Sequence, residues 1–233
     1  MFEFEPGSFL FEVWVARNGL LAGLAATARL SVLTIAIGSL IGLLGGIGLT
    51  YGPWPLRLLL RGYVDAVRGI PVLVLILFSY YGLALLGIQI SPFTAGVVAL
   101  GGFCGAHMSE TVRGAIESIP VGQTEAGKAI GLTFWQRLRY VLLPQAIRRL
   151  LPPWVNTAVE MVKGTTLLSI IGVVELLLAT QQTIARNYLV LQFYFAAGAL
   201  YVLFNFVISQ LGALIERRTC LLYTSDAADD KAR

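Results

Sequence analysis

Residues 20–50 read LLAGLAATARLSVLTIAIGSLIGLLGGIGLT, with Arg29 as the one charged side chain. About 20 predominantly apolar residues in a helix cross the ~30 Å hydrocarbon core of a bilayer, so this stretch exceeds one crossing and implies tilt or an interfacial extension. Tyr51-Gly52-Pro53-Trp54-Pro55 then ends it with a glycine and two prolines. Four further apolar runs lie at about 70–86, 93–112, 154–178 and 189–215. Of the 233 residues, 57% are hydrophobic and 13% charged, half the charge of an ordinary soluble domain. Disorder is excluded as well, because it requires low hydrophobicity. The expected class is an all-α membrane protein with five transmembrane helices and a membrane core over residues 20–215.

Five spans put the termini on opposite faces. One face collects Arg57, Arg61, Arg68, Arg113, Lys128, Arg137, Arg139, Arg148, Arg149, Arg217 and Arg218, the other only Arg17 and Arg186. Basic residues concentrate on cytoplasmic loops, so the N-terminus is expected outside and the C-terminus in the cytoplasm. The net charge of +4 therefore reports orientation in a lipid bilayer, with no nucleic-acid partner expected. Two cysteines, Cys104 and Cys220, are too few for a disulfide framework, and Cys104 in an apolar run reads as a small packing residue. The start, MFEFEPGSFLFEVW, lacks the basic region and small-residue cleavage site of a cleaved signal, so the first span is expected to do the targeting. Residues 220–229, CLLYTSDAAD, resemble a translated transposase adapter used in sequencing libraries. Residues 219–233 are therefore expected to be a non-native tail on a truncated gene fragment, and 1–218 the native domain.

Residues 113–153 form the long polar and amphipathic stretch between the third and fourth runs, on the cytoplasmic side. Ser118 or Gln123 is placed to start a short helix, and Glu125-Ala126-Gly127-Lys128-Ala129 carries it until Gly131 stops it. Glu125 is then expected near the helix N-terminus, where the dipole favours it. Leu132-Thr133-Phe134-Trp135 turns into a second helix with Trp135, Leu138, Val141 and Leu142 on one face, and Pro144 near its end. Pro144 and the Pro152-Pro153 pair are expected to set the chain's direction there. Such a pair suits a partner's grip; an amphipathic pair resting on lipid is the alternative.

Glu125-Ala126-Gly127, then Gly131, then Leu143-Pro144, resembles the E-A-A–three residues–G–nine or so residues–I-x-L-P signature of bacterial ABC-importer permease subunits. Gly127 stands in place of the second alanine. Arg113-Gly114-Ala115-Ile116-Glu117-Ser118-Ile119-Pro120, Arg68-Gly69-Ile70-Pro71, Gly23-Leu24-Ala25-Ala26-Thr27 and Lys163-Gly164-Thr165-Thr166-Leu167-Leu168-Ser169 resemble the polar-amino-acid branch. The resemblance covers about Phe4 to Arg218. It implies a type I importer transmembrane domain that pairs with a second permease subunit, identical or sister. A cytoplasmic ABC ATPase dimer would drive it, and an extracytoplasmic amino-acid-binding protein would deliver the cargo in a bacterial inner membrane. It also implies an ATPase-coupling role for Glu125, Ala126, Gly127, Gly131, Leu143 and Pro144. The sequence has no GxxxxGK[ST] phosphate loop, so the chain is not expected to be an enzyme, and ATP and magnesium would sit in the partner.

Asn156, Glu160, Lys163, Thr165, Thr166 and Ser169 crowd the first half of the expected fourth span. Charges at mid-bilayer cost about 2.5–3.5 kcal/mol on insertion scales, so Glu160 and Lys163 should face a partner or a wet cavity. At i,i+3 they can neutralise each other; alternatively Glu160, Lys163, Thr165, Thr166 and Ser169 line a path for a zwitterionic substrate. Glu110 and Arg113 read as an ion pair at the inner end of the third span, with Arg68 a possible third member. His107, the only histidine, has no ligand cluster around it and reads as packing or gating, so no metal is expected. Two other functions compete: a secondary transporter would need inverted repeats, and none is evident. An intramembrane enzyme would need groups converging from facing helices, whereas Glu160, Lys163 and Ser169 share one.

Overall fold

The computed structural model describes residues 5 and 7–229, with side chains as far as Glu216; residues 1–4, 6 and 230–233 lie outside that description. The side chains of Arg217, Arg218 and Cys220, and hence most of the expected tail, also lie outside it. Every element among the described residues is helical. In chain order they are α1 (Phe9–Tyr51), α2 (Trp54–Gly69), α3 (Val72–Leu77, continued by a π-helical turn Phe78–Gly82 and a last turn Leu83–Leu85) and α4 (Pro92–Glu117). Then come α5 (Val121–Ala129), α6 (Phe134–Arg137, continued by a π-helical turn Leu138–Leu142) and α7 (Leu143–Gly164, tightening into a 3-10 turn Thr165–Ile171). The last two are α8 (Leu176–Asn187) and α9 (Val190–Asp229).

By length and composition, Phe9–Tyr51 and Val190–Glu216 suffice to cross a membrane, and up to four crossings result if two bent helix pairs each count as one. The expected third span falls in α4, which has 26 residues but carries Glu110, Arg113 and Glu117 in its C-terminal third. Residues 154–178, expected as one span, are not one continuous helix. The helix tightens after Gly164, ends at Gly172 in a left-handed conformation, and a new helix begins after Glu175. The 3-10 turn and the glycine are the physical cause: once the chain has φ near +84° at Gly172, the helical path cannot continue.

The chain divides into two compact units. The first comprises Met1–Ile37, Ile70–Phe103 and Glu160–Phe206, the second Gly38–Gly69, Cys104–Val159 and Val207–Arg233. In the first, Leu30 of α1, Ile76 of α3, Ala95 and Leu100 of α4, and Leu168 and Ile171 of the 3-10 turn make one core. Thr27, Ser31 and Thr34 are buried on α1. The hydroxyls of Ser31 and Thr34 donate to the carbonyls of Thr27 and Leu30, each at 2.7 Å, which satisfies them without water.

The second unit is packed through small residues. Gly38, Gly42 and Gly46 of α1 abut Cys104, Met108 and Val112 of α4, and a Cβ at Gly105 would lie 2.6 Å from Ile41 Cγ2. Close approach over small residues is how helices associate where lipid offers no hydrophobic drive. Cys104 is a buried free thiol in this contact. Replacing Gly42 by Val should therefore wedge α1 from Met108, at a cost of roughly 1–3 kcal/mol. A lowered thermal midpoint of the solubilised protein checks this. Gly62→Ala, where nothing lies within 4 Å, should leave the midpoint unchanged or slightly raised.

Candidate functional site

The segment after α4 folds as a knuckle of two short helices. α5 starts at Val121 behind Pro120, whose φ of −55° presets the helical entrance, so neither Ser118 nor Gln123 caps it. Ser118 instead donates to Ala115 O. Glu125 consequently falls in the second turn, beyond the reach of the dipole that sequence suggested for it. At the other end the Leu132 amide donates to Gly127 O at 3.0 Å and the Gly131 amide to Lys128 O at 2.9 Å. This crossed pair around Gly131, with φ +78°, closes the helix and satisfies carbonyls that would otherwise be orphaned. Thr133 then caps α6: its hydroxyl accepts from the Gln136 amide, and Gln136 Oε1 accepts from the Thr133 amide at 2.8 Å.

Gly127 is buried in this corner, where an added Cβ would meet Cγ and Cδ of Arg137 at 3.0 Å. The Arg137 guanidinium in turn donates to Leu132 O at 2.6 Å. The glycine thus leaves room for an arginine stem that braces the turn. Leu138, Leu142 and Ala146 pack with Val112 and Ile116 of α4 and with Ile119 just beyond it. Trp135 does not join that face as expected; it is 71% exposed, as is Ile130 at 76%. Pro144 does not end the helix either, and Pro152 and Pro153 lie inside α7. The π-helical turn Leu138–Leu142, where the Leu143 amide reaches back to Leu138 O, widens the backbone just before Pro144 and accommodates its missing donor. Leu143 is partly buried against the same core, while Glu125, Ala126 and Pro144 face outward. Gln145 donates to Gln123 Oε1 at 3.3 Å and Arg149 to the Ser118 hydroxyl at 2.9 Å, which ties α7 to the base of the knuckle.

At the end of α4, Arg113 is ion-paired to both Glu110 and Glu117. Arg61 and Arg68 are exposed and add only their field to this cluster, without an ion pair. Glu160 and Lys163 are both exposed and make no ion pair with each other, so the contact that one of the two readings offered is not formed in this chain. Thr165 is fully buried, its hydroxyl donating to Val162 O at 2.7 Å. Thr166 and Ser169 likewise donate to Lys163 O and Thr166 O.

Sequence reading passed over Glu175. It is fully buried, and its carboxylate accepts from the amides of Leu177 (2.8 Å) and Leu178 (2.9 Å) and from the Tyr201 hydroxyl (2.6 Å). The Leu176 amide donates to the Thr27 hydroxyl at 3.1 Å, so α1, α8 and α9 meet at this point. The signal was available: a lone carboxylate in VVELLL, three residues after a glycine that ends a helix.

The described residues thus form an all-α structure with helices apolar and long enough to cross a membrane and a capped, outward-facing knuckle between them. The chain belongs to the family of binding-protein-dependent transport system inner membrane components, whose profile matches residues 19–220. It is 39% identical over 212 residues to the glutamine transport system permease protein GlnP of Escherichia coli (strain K12), covering 90% of this chain and 97% of that protein. It is 36% identical over 200 residues to the L-cystine transport system permease protein TcyB of Bacillus subtilis (strain 168), covering 85% and 86%. Its fold matches a chain in the crystal structure of an amino acid ABC transporter with histidines at a TM-score of 0.83 and 33% identity, covering 91% and 98%. The chain is accordingly an ABC-importer permease subunit, and the secondary-transporter and intramembrane-enzyme readings fall.

Proposed function

We propose that this permease imports a polar amino acid or a related small zwitterion, with a second permease copy, identical or sister, completing the path. An extracytoplasmic binding protein delivers the cargo, and ATP and magnesium are handled by a separate ATPase dimer. The relatives named for glutamine and L-cystine support the substrate class. The basic-residue bias supports an inner-membrane orientation with the N-terminus outside. The observation that carries the coupling role is the braced knuckle, which is fixed internally yet exposes Ile130 and Trp135. Apolar side chains held out on a rigid turn are suited to a groove in a partner, so that closure of the ATPase dimer moves the helices. Glu125, Ala126, Gly127, Gly131, Leu143 and Pro144 form or support that docking element. Capture of the ATPase by the detergent-solubilised permease should fall more than tenfold in Ile130→Asp/Trp135→Asp. Undiminished capture would remove the knuckle from the interface.

Glu160, Lys163, Thr166 and Ser169 are the proposed path-side groups, and Thr165 supports them from within the helix packing. Because Glu160 and Lys163 are unpaired in this chain, Glu160→Gln/Lys163→Gln should insert and assemble normally while uptake falls on the order of tenfold. Wild-type uptake by that variant would exclude a path-lining role. Arg68, Glu110 and Arg113 are assigned to holding the inner end of α4. Residues 219–233 are assigned no function, and truncation after Arg218 should leave assembly and uptake unchanged; loss of the complex would contradict this.

A further inference from the structure

Within the second unit, α2 packs Leu60, Tyr63, Val64 and Val67 against Leu49 of α1 and Ala106 of α4. Its neighbouring stripe carries Arg57 and Arg61 at i,i+4, and neither has an ion-pair partner among the described residues. Asp65, one turn beyond Arg61, is exposed and unpaired as well. Like charges four apart on a helix repel, so the pair invites an anion. The two arginines line a cleft of about 380 Å³ with Leu49, Thr50, Trp54, Leu58, Arg113 and the one carboxylate, Glu117, which is ion-paired to Arg113. Arg113 is ion-paired to Glu110 and Glu117, and Arg61 acts on Glu110 only through its field, so Arg57 and Arg61 are the cleft's cations outside any ion pair among the described residues. Beside them Trp54 is 69% exposed and Leu58 59%, apolar surface directly adjoining the guanidinium groups.

We propose that this cleft binds the phosphodiester headgroup of an anionic membrane phospholipid, with Arg57 and Arg61 as its ligands. Two planar guanidinium forks suit phosphate oxygens, which they can grip bidentately. The adjoining Trp54 and Leu58 suit the glycerol and upper acyl region, where an indole combines an apolar body with a polar edge. A free inorganic phosphate would use the arginines but not that apolar flank.

The test is native mass spectrometry of the full permease released from detergent, titrated with phosphatidylglycerol and with phosphatidylcholine of the same acyl chains. Juxtamembrane arginines favour anionic lipid by about fivefold each, so wild type should prefer phosphatidylglycerol on the order of 25-fold. Arg57→Gln/Arg61→Gln should bring the two lipids near parity, and Arg57→Lys/Arg61→Lys should keep most of the preference. Inorganic phosphate at about 10 mM should not displace the lipid, since screening alone weakens rather than replaces a lipid with two attachment regions. Quenching of Trp54 by brominated phosphatidylglycerol in wild type, taken against Trp54→Phe, reads the same site should the glutamine variant fail to fold. No lipid preference in wild type, an unchanged preference in the glutamine variant, or full displacement by phosphate would overturn the assignment. Absence of quenching would do so too, as when a second permease copy covers the cleft.

Discussion

Glu175→Ala is expected to abolish accumulation of folded permease. The carboxylate is the acceptor for two amides at the start of α8 and for the Tyr201 hydroxyl, all in a fully buried setting. Removing it strands three donors, each costing about 1–3 kcal/mol where water cannot reach. Even with relaxation the sum is on the order of 3–5 kcal/mol, comparable to a small domain's entire stability. Glu175→Gln should be intermediate, because its carbonyl oxygen can still accept while its amide group points donors at donors. Tyr201→Phe should be milder than either, as it deletes one bond and leaves both amides capped. The measurement is the fraction of solubilised protein that remains monodisperse after heating. A Glu175→Ala protein as heat-stable as wild type would mean that this junction does not hold α1, α8 and α9 together.

The second large effect is expected at Gly131, through function rather than folding. Gly131 has φ +78° and nothing within 4 Å of where a Cβ would stand, so a side chain there meets a conformational penalty and no clash. That penalty is about 1–2 kcal/mol for an ordinary residue and greater for a β-branched one. Gly131→Val should therefore reshape the turn, pulling apart the crossed Leu132–Gly127 and Gly131–Lys128 bonds while the spanning helices stay in place. The expected phenotype is a normally inserted permease whose uptake falls at least tenfold, because a displaced knuckle no longer transmits the partner's closure. Gly131→Asn should be much less damaging, since asparagine tolerates the left-handed conformation. Equal uptake by wild type and the valine variant would show that the turn's geometry is not what couples the two subunits.

The helices that sequence revealed best are those whose pattern is set by a single physical demand. The apolar runs of α1 and α9 stand out because a bilayer requires them, and the stop at Gly131 stands out because few other residues adopt its backbone angles. The elements that sequence obscured are those where two demands compete. Pro53 and Pro55 read as helix breakers, yet proline is tolerated at a helix start, and α2 begins at Trp54. Pro144 reads as a helix end, yet the π-helical turn before it lets the chain run on to Gly164. Trp135 shares the period of Leu138 and Leu142 but lies before the wider turn, so the periodicity assigned it to the wrong face. Glu160 and Lys163 have the spacing of an ion pair, but i,i+3 spacing permits a contact without requiring it. Glu175 escaped because it sits in an apolar run that hides a helix boundary: the carboxylate caps a new helix where composition suggested one continuous span.

The braced knuckle of α5 and α6 is expected to make ATP hydrolysis by a partner drive import of a polar amino acid through this subunit. The most direct test is uptake of a labelled polar amino acid that the binding protein holds into liposomes containing the permease and its ATPase, with ATP inside and binding protein outside. Uptake should require all three proteins together and should collapse in Gly131→Val at unchanged permease content. Uptake that proceeds without ATP, or that is equal in the valine variant, would contradict it.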